Sequence, residues 1–144
     1  MRPVRSRPKG ALVAAVLVVA AALTTSACGL AVRSPDLFLL TRTGQGSKLT
    51  LLVNDGGTIR CNGGRSRQLS DAFLIRARDL SLNLAGVAGK NLSLPIGPGT
   101  VFSYRIKLQQ GTVSFADRDT AHHPILAQAE LFAAQVAQQA CGLN

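Results

Sequence analysis

An uncharged apolar run near the N-terminus sets the first limit on what this chain folds into. The run covers residues 11–23. As a helix it would span about 20 Å, against the roughly 30 Å hydrocarbon core of a bilayer. Basic residues precede it and small residues follow it: Arg2, Arg5, Arg7 and Lys9, then Thr25, Ser26 and Ala27. This pattern is typical of a secretory signal peptide, so we predict that residues 1–27 are removed from the mature protein.

The exit of this segment, "LTTSACG" at residues 23–29, resembles the lipobox of bacterial lipoproteins. The resemblance implies cleavage before Cys28 and acylation of that cysteine, although Thr25 stands where the lipobox usually has Leu. Two or three acyl chains would hold the protein on the extracytoplasmic face of the cell membrane. Two alternatives stay open: an ordinary secretory signal cut after Ala27 or Ala31, and a retained transmembrane anchor.

The mature chain has the size of one domain. Removing 27 of the 144 residues leaves 117, for which we predict a short tether over residues 28–36 and a single domain over residues 37–144. The signal peptide holds four of the 16 basic residues and none of the seven acidic ones, so the mature net charge is +5. The basic residues are scattered and Trp is absent, which argues against nucleic acid as a partner.

The remaining cysteines, Cys61 and Cys141, predict a disulfide, because an exported protein meets an oxidising environment. The bond would close a loop of about 80 residues and stabilise the fold by about 4 kcal/mol. A metal pair and a reactive thiol are the alternatives. The adjacent His122 and His123 are the main further ligand candidates, and neighbouring residues point apart on any regular element. We therefore predict no metal site and no cofactor.

Hydrophobic periodicity predicts the first half of the domain. Apolar and β-branched segments separated by Gly-rich turns indicate three strands at residues 37–43, 49–54 and 58–62, with loops at 44–48 and 63–67. A three- and four-residue spacing then predicts a helix that begins after Ser70 and ends near Gly86. Its expected apolar stripe is Leu74, Ala77, Leu80, Leu84 and Val87.

Alternation returns after the Pro/Gly segment at residues 95–99. Residues 101–109 alternate strictly and predict a half-buried strand, and residues 112–117 a return strand. Pro124 suits the first position of a last helix, which Gly142 would end. The order β-β-β-α-β-β-α predicts an α+β fold: a mostly antiparallel sheet of about five strands with two helices packed on one face.

Catalytic signatures are missing from the sequence. Neither G-x-S-x-G nor H-E-x-x-H occurs, and "GVAGKN" at residues 86–91 is too short for a phosphate loop. A triad of His122 or His123 with Asp117 or Asp119 and a serine can be drawn, as in most chains of this size. Asp117 and Asp119 flank Arg118 and suit turn positions better than an acid–base pair. We predict that the protein is not an enzyme.

Longer stretches resemble known groups of proteins. Residues 34–64 and 95–117 with the terminal "CGL" are similar to a group of actinobacterial secreted or lipid-anchored proteins, a resemblance that implies export and no particular activity. "TRTGQG" (41–46) and "YRIKLQQGTVSF" (104–115) more weakly resemble the emfourin inhibitors of thermolysin-like metalloproteases. This chain departs from them in its cysteine pair, its lipobox and its Gln45, where Gly is usual.

The expected function is that of a lipid-anchored, non-enzymatic envelope module that binds a protein partner. The emfourin resemblance adds an exported metalloprotease as a candidate partner and implies contact through loops 43–48 and 94–100. The residues expected to contact it are Thr43, Gly44, Gln45, Gly46, Pro95 and Pro98. The alternative is a binder of anionic envelope polymers or of a small ligand, using the +5 charge and the sheet face left open by the helices. The third hypothesis is a hydrolase with an unrecognised site.

Overall fold

The computed structural model describes residues 35–143, which form an α+β domain and confirm the predicted fold class. Cys28, the predicted signal peptide and most of the predicted tether lie outside the described residues. A 3₁₀ turn, Asp117–His122, precedes the last helix. The main elements are β1 Asp36–Gly44, β2 Ser47–Asn54, β3 Thr58–Cys61, β4 Ser66–Gln68, α1 Asp71–Ala88, β5 Ser103–Leu108, β6 Gly111–Ala116 and α2 Pro124–Gln139.

The six strands form one antiparallel sheet in the order β4-β3-β2-β1-β5-β6. The first strand is therefore central. Leu40 of β1 pairs with Leu51 of β2 and with Ile106 of β5, which puts three buried side chains in one row. Residues 92–94 follow the outer edge of β6, where the Leu94 N–H donates to the Ser114 carbonyl over 2.9 Å.

One face of the sheet packs on both helices, as predicted. Phe132 of α2 makes edge-to-face ring contacts with Phe38 of β1 and Phe73 of α1, at centroid distances of 5.7 and 6.3 Å. These contacts join the sheet and the two helices at a single point of the core. Alternate strand residues face the helices and are buried: Phe38, Leu40, Leu49, Leu51, Val53, Ile59, Tyr104, Ile106, Leu108, Val113 and Phe115.

The predicted start of α1 is confirmed, but its end and its buried stripe differ from the expectation. Ser70 caps the helix and accepts a hydrogen bond from the Phe73 N–H. The helix continues past Gly86, an exposed residue, to Ala88, whose side chain is fully buried. The middle of the expected stripe is confirmed, and only its two ends differ: Phe73 is buried in place of Leu74, and Ala88 in place of Val87. Core packing of Ala88 outweighs the low helix propensity of Gly86.

Residues 63–67, expected to be a loop, contain the start of β4. Its three residues are all polar and exposed, so the sequence has no alternation that would reveal a strand. The strand is defined by tertiary contacts. It pairs with β3, and the Arg67 guanidinium donates to the carbonyls of Ala140 and Cys141 over 3.1 and 3.3 Å.

The structure pairs Cys61 with Cys141, as predicted. Their Cα atoms are 5.9 Å apart, a spacing typical of disulfides. Cys61 ends β3 and Cys141 follows α2, so the bond ties the sheet to the end of the last helix across 80 residues of sequence.

Candidate functional site

The predicted contact loops meet at one end of the sheet. The first of them shortens to a two-residue turn between β1 and β2, with Gln45 and Gly46 at φ of +50° and +70°. Positive φ at both central positions is what a type I′ hairpin turn requires. Gln45 therefore occupies a left-handed conformation that glycine adopts more easily, at the position where emfourins usually have Gly.

This turn packs directly against the second loop. A side chain on Gly44 would overlap the carbonyl oxygen of Val101. One residue earlier, the Thr43 and Ser103 hydroxyls are hydrogen-bonded over 2.7 Å. The structure thus brings Thr43 and Gly44 against the segment that follows Pro95 and Pro98, although these residues are more than 50 positions apart in the sequence.

Two neighbouring side chains hold residues 97–102 in place. The Asp117 carboxylate accepts hydrogen bonds from the Val101 and Phe102 backbone N–H groups, each over 3.1 Å to Oδ2. The Arg118 guanidinium donates to the Pro98 carbonyl over 2.7 Å. Its Nη1 lies 2.6 Å from where a Cβ of Gly97 would stand, so glycine at 97 leaves room for this contact. The loop is therefore fixed by side chains of the 3₁₀ turn.

The fixed loop exposes apolar side chains. Ile96 is 68% exposed and Val101 is 46% exposed, which places them among the few large hydrophobic side chains of the described residues that face solvent. Pro95, just before Ile96, and Pro98, between Ile96 and Val101, are exposed as well. We call residues 94–101 together with the turn at 43–46 the loop surface. It combines a restrained backbone with an apolar face.

A groove of about 520 Å³ lies between this loop and the sheet. Leu94, Pro95 and Ile96 form one wall. The sheet contributes Thr41, Thr43 and Arg105 among other residues on the face turned away from the helices. The volume is in the range of small-molecule sites, and the lining mixes hydroxyl groups with one cation.

Tyr104 lies beneath this groove with its ring in the core. Its side chain is 3% exposed and stacks on Phe115 at a centroid distance of 4.9 Å, while its hydroxyl donates to Glu130 over 3.3 Å. Burial, and after it the nearby Glu130 carboxylate, raises the pKa of Tyr104 to about 12. At neutral pH the residue is a neutral phenol in a structural contact.

The residues considered for a catalytic set have structural contacts in the described part of the chain. Asp117 accepts the loop amides, and Asp119 accepts the Ala116 N–H over 2.8 Å. His122 and His123 are exposed at the end of the 3₁₀ turn. Within residues 35–143, no group of three or more His, Cys, Asp or Glu side chains is arranged to hold a metal ion.

Sequence reasoning found the loops but missed the residues that shape them. The prolines and glycines at 95–99 indicated a stiff loop, whereas Ile96 and Val101 read as ordinary apolar residues. Asp117 was interpreted as a turn residue, and Arg118 was given no role. Their contacts join segments 15 to 20 residues apart and depend on how β5 and β6 place the 3₁₀ turn, for which a single sequence contains no signal.

Comparison of the chain with protein-family models, with curated proteins and with solved structures found no match. Neither helix of the described residues is long and apolar enough to cross a membrane.

Proposed function

We propose that this protein is a lipid-anchored, non-enzymatic module of the cell envelope that binds a protein partner through the loop surface. The observation that supports this most is the exposure of Ile96 and Val101 on a loop whose backbone is fixed by Asp117 and Arg118. A restrained loop loses little conformational entropy on binding, so more of the contact energy appears as affinity. Removal of exposed apolar side chains from water also favours association.

An exported thermolysin-like metalloprotease is the first partner to test, because the emfourin resemblance includes the turn at 43–46. Its two segments, residues 41–46 and 104–115, cover the end of β1 with that turn and most of the β5–β6 hairpin. The disulfide restrains the domain, and the contacts of Asp117 and Arg118 with residues 98–102 restrain the loop. A protease inhibitor requires such restraint, since a flexible loop is cleaved more readily than a rigid one.

Inhibition assays on a panel of exported metalloproteases test this function, using the mature chain with Cys28→Ser to keep it in solution. We expect Ile96→Ser to weaken binding roughly tenfold, which corresponds to about 1.4 kcal/mol. Ile75→Ser is the matched control, because Ile75 is 58% exposed on α1, away from the loop surface. Equal effects of the two changes on binding would contradict a contact through Ile96. Unchanged peptide hydrolysis with every protease, at high micromolar concentrations of this protein, would contradict the inhibitor hypothesis.

Membrane partition tests the anchor separately. The full-length protein should sediment with membranes, and Cys28→Ser should move it to the soluble fraction, because acyl chains supply the membrane affinity. Cys61→Ser is a matched control that removes a different cysteine. Continued sedimentation of the Cys28→Ser protein would show that lipid is not the anchor.

A further inference from the structure

The sheet face turned away from the helices is rich in cations and hydroxyl groups. We call it the open face and define it by the outward residues of the four middle strands and β6: Leu39, Thr41, Thr50, Leu52, Arg60, Arg105, Lys107, Thr112 and Ser114. They alternate with the buried residues of the same strands. The three cationic side chains of this set are all exposed.

The strand register arranges these residues in rows. One row runs Arg60–Leu52–Leu39–Lys107 across β3, β2, β1 and β5. With about 4.8 Å between strands, its two cations stand roughly 14 Å apart at the backbone. Arg105 lies two residues from Lys107 in the next row, about 7 Å away, beside Thr41 and Ser114. The cations thus form a broad, fixed array on a rigid sheet.

Five of the six described arginines outside the open face have contacts within the domain, the exception being the exposed Arg65, whereas those of the open face have none. Arg78 pairs with Asp55, Arg76 bonds Gln135, and Arg67 and Arg118 bond backbone carbonyls. Arg42 stacks on Phe102. Within residues 35–143, Arg60, Arg105 and Lys107 have neither a hydrogen bond nor an ion pair, although each is anchored on a strand.

Among the residues that the structure describes, Asp36 is the acidic residue near this face. It lies at the edge beside Asn54, whose side-chain amide donates to its carboxylate over 3.2 Å. The face is therefore complementary to an anionic partner. A polymer fits better than a bilayer, because Leu39 is only 37% exposed, Leu52 is half-buried, and Tyr104 and Phe115 face the core. The open face has no aromatic side chain on which bases could stack.

We propose that the open face binds a linear anionic polymer that also bears hydroxyl groups, such as a polyuronate or a polyol-phosphate chain. The three cations would contact acidic groups along the chain. The serine and threonine hydroxyls between them would bond the polymer's hydroxyls. The groove beside Arg105 would receive one residue of the polymer under the wall formed by Leu94 and Pro95. This contact shares the groove wall with the loop surface, but its three cations lie on the sheet.

Binding of a polyuronate of defined length to the immobilised mature domain with Cys28→Ser tests the proposal. We expect the triple change Arg60→Gln, Arg105→Gln and Lys107→Gln to weaken binding at least tenfold and to reduce its salt dependence, since each lost cation removes a screened contact. The matched control is Arg76→Gln, Arg78→Gln and Lys90→Gln, which removes the same charge from α1 and the turn after it. We expect it to stay within twofold of the unchanged protein.

Three further ligands test which chemical groups the open face recognises. Neutral dextran should not bind, polyglutamate should bind more weakly because it lacks hydroxyls, and anionic vesicles should bind more weakly than the polyuronate. Absence of polyuronate binding, equal loss in both triple variants, or tighter binding to vesicles would overturn the proposal. If the triple variant unfolds, binding of the polyuronate to the single variant Arg105→Gln is measured instead. Val101→Ser changes a loop-surface residue that does not line the groove, so it should weaken the protein contact and leave polymer binding unchanged. This proposal and the loop-surface proposal can therefore fail separately.

Discussion

Tyr104 is the single tyrosine of the chain, and its environment was set by residues distant in sequence. Its ring stacks on Phe115 of the next strand, and its hydroxyl reaches Glu130 on α2. The alternation of residues 101–109 predicted that Tyr104 faces the core. The Glu130 contact depends on where α2 crosses the sheet, which no local pattern specifies.

The ultraviolet titration of the protein therefore reports one residue, because the chain contains no Trp and no second Tyr. We expect the phenolate absorbance of the folded protein to appear with a midpoint near pH 12, since burial raises the pKa of Tyr104 to about 12. Unfolding in urea should return the midpoint to about 10. A folded-state midpoint at 10 would contradict the buried position.

The same shift makes stability depend on pH. The folded state holds the Tyr104 proton more tightly, so its contribution is complete below pH 10 and is lost as pH rises towards 12. We expect a loss of roughly 2 kcal/mol in the free energy of unfolding over that range, from about 1.4 kcal/mol per pKa unit. Urea unfolding at pH 9, 10 and 11 measures it, and Tyr104→Phe should remove this part of the dependence.

At the scale of elements, the sequence predicted the longer strands and helices more accurately than the short or irregular segments. The strands at β1, β2, β5 and β6 and the start of α1 agree with the predicted alternation and capping, because those signals come from neighbouring residues. β4 and the 3₁₀ turn were missed. Both are short and polar, and pairing with β3 or contacts to the loop at 97–102 determine them.

The loop surface depends on the 3₁₀ turn, which gives a test at this scale. Asp117→Ala should remove the acceptor for the Val101 and Phe102 amides and cost about 1–3 kcal/mol. Hydrogen exchange of these two amides should accelerate more than exchange in β5. Asp117→Asn keeps one acceptor oxygen and should have a milder effect. Asp79→Asn, at an exposed position of α1, is the control. Unchanged exchange in Asp117→Ala would show that the loop is held by other contacts.

At the scale of the whole molecule, the Cys61–Cys141 bond connects the sheet to the segment that follows the last helix. It joins β3, near one sheet edge, to the segment after α2, where Arg67 also bonds the carbonyl of Cys141. Removing it should therefore affect global stability more than local structure.

We expect Cys61→Ser with Cys141→Ser to lower the free energy of unfolding by about 4 kcal/mol, because the bond restricts a loop of about 80 residues in the unfolded chain. Urea unfolding measures the change, and the reduced unchanged protein is the control that should match the double variant. A stability equal to that of the oxidised protein would mean that the core alone supports the fold.

The sequence by itself determined the α+β class, the positions of most strands and helices, the buried face of the sheet and the pairing of the two domain cysteines. These depend on residue periodicity, turn chemistry and the number of cysteines available, all of which can be read along the chain. The tertiary structure alone decided that Gly44 lies against Val101, that Asp117 and Arg118 hold the loop, and that Arg60, Arg105 and Lys107 share one face without partners. Strand order and register bring these residues together, and both depend on the packing of the whole core rather than on any single segment.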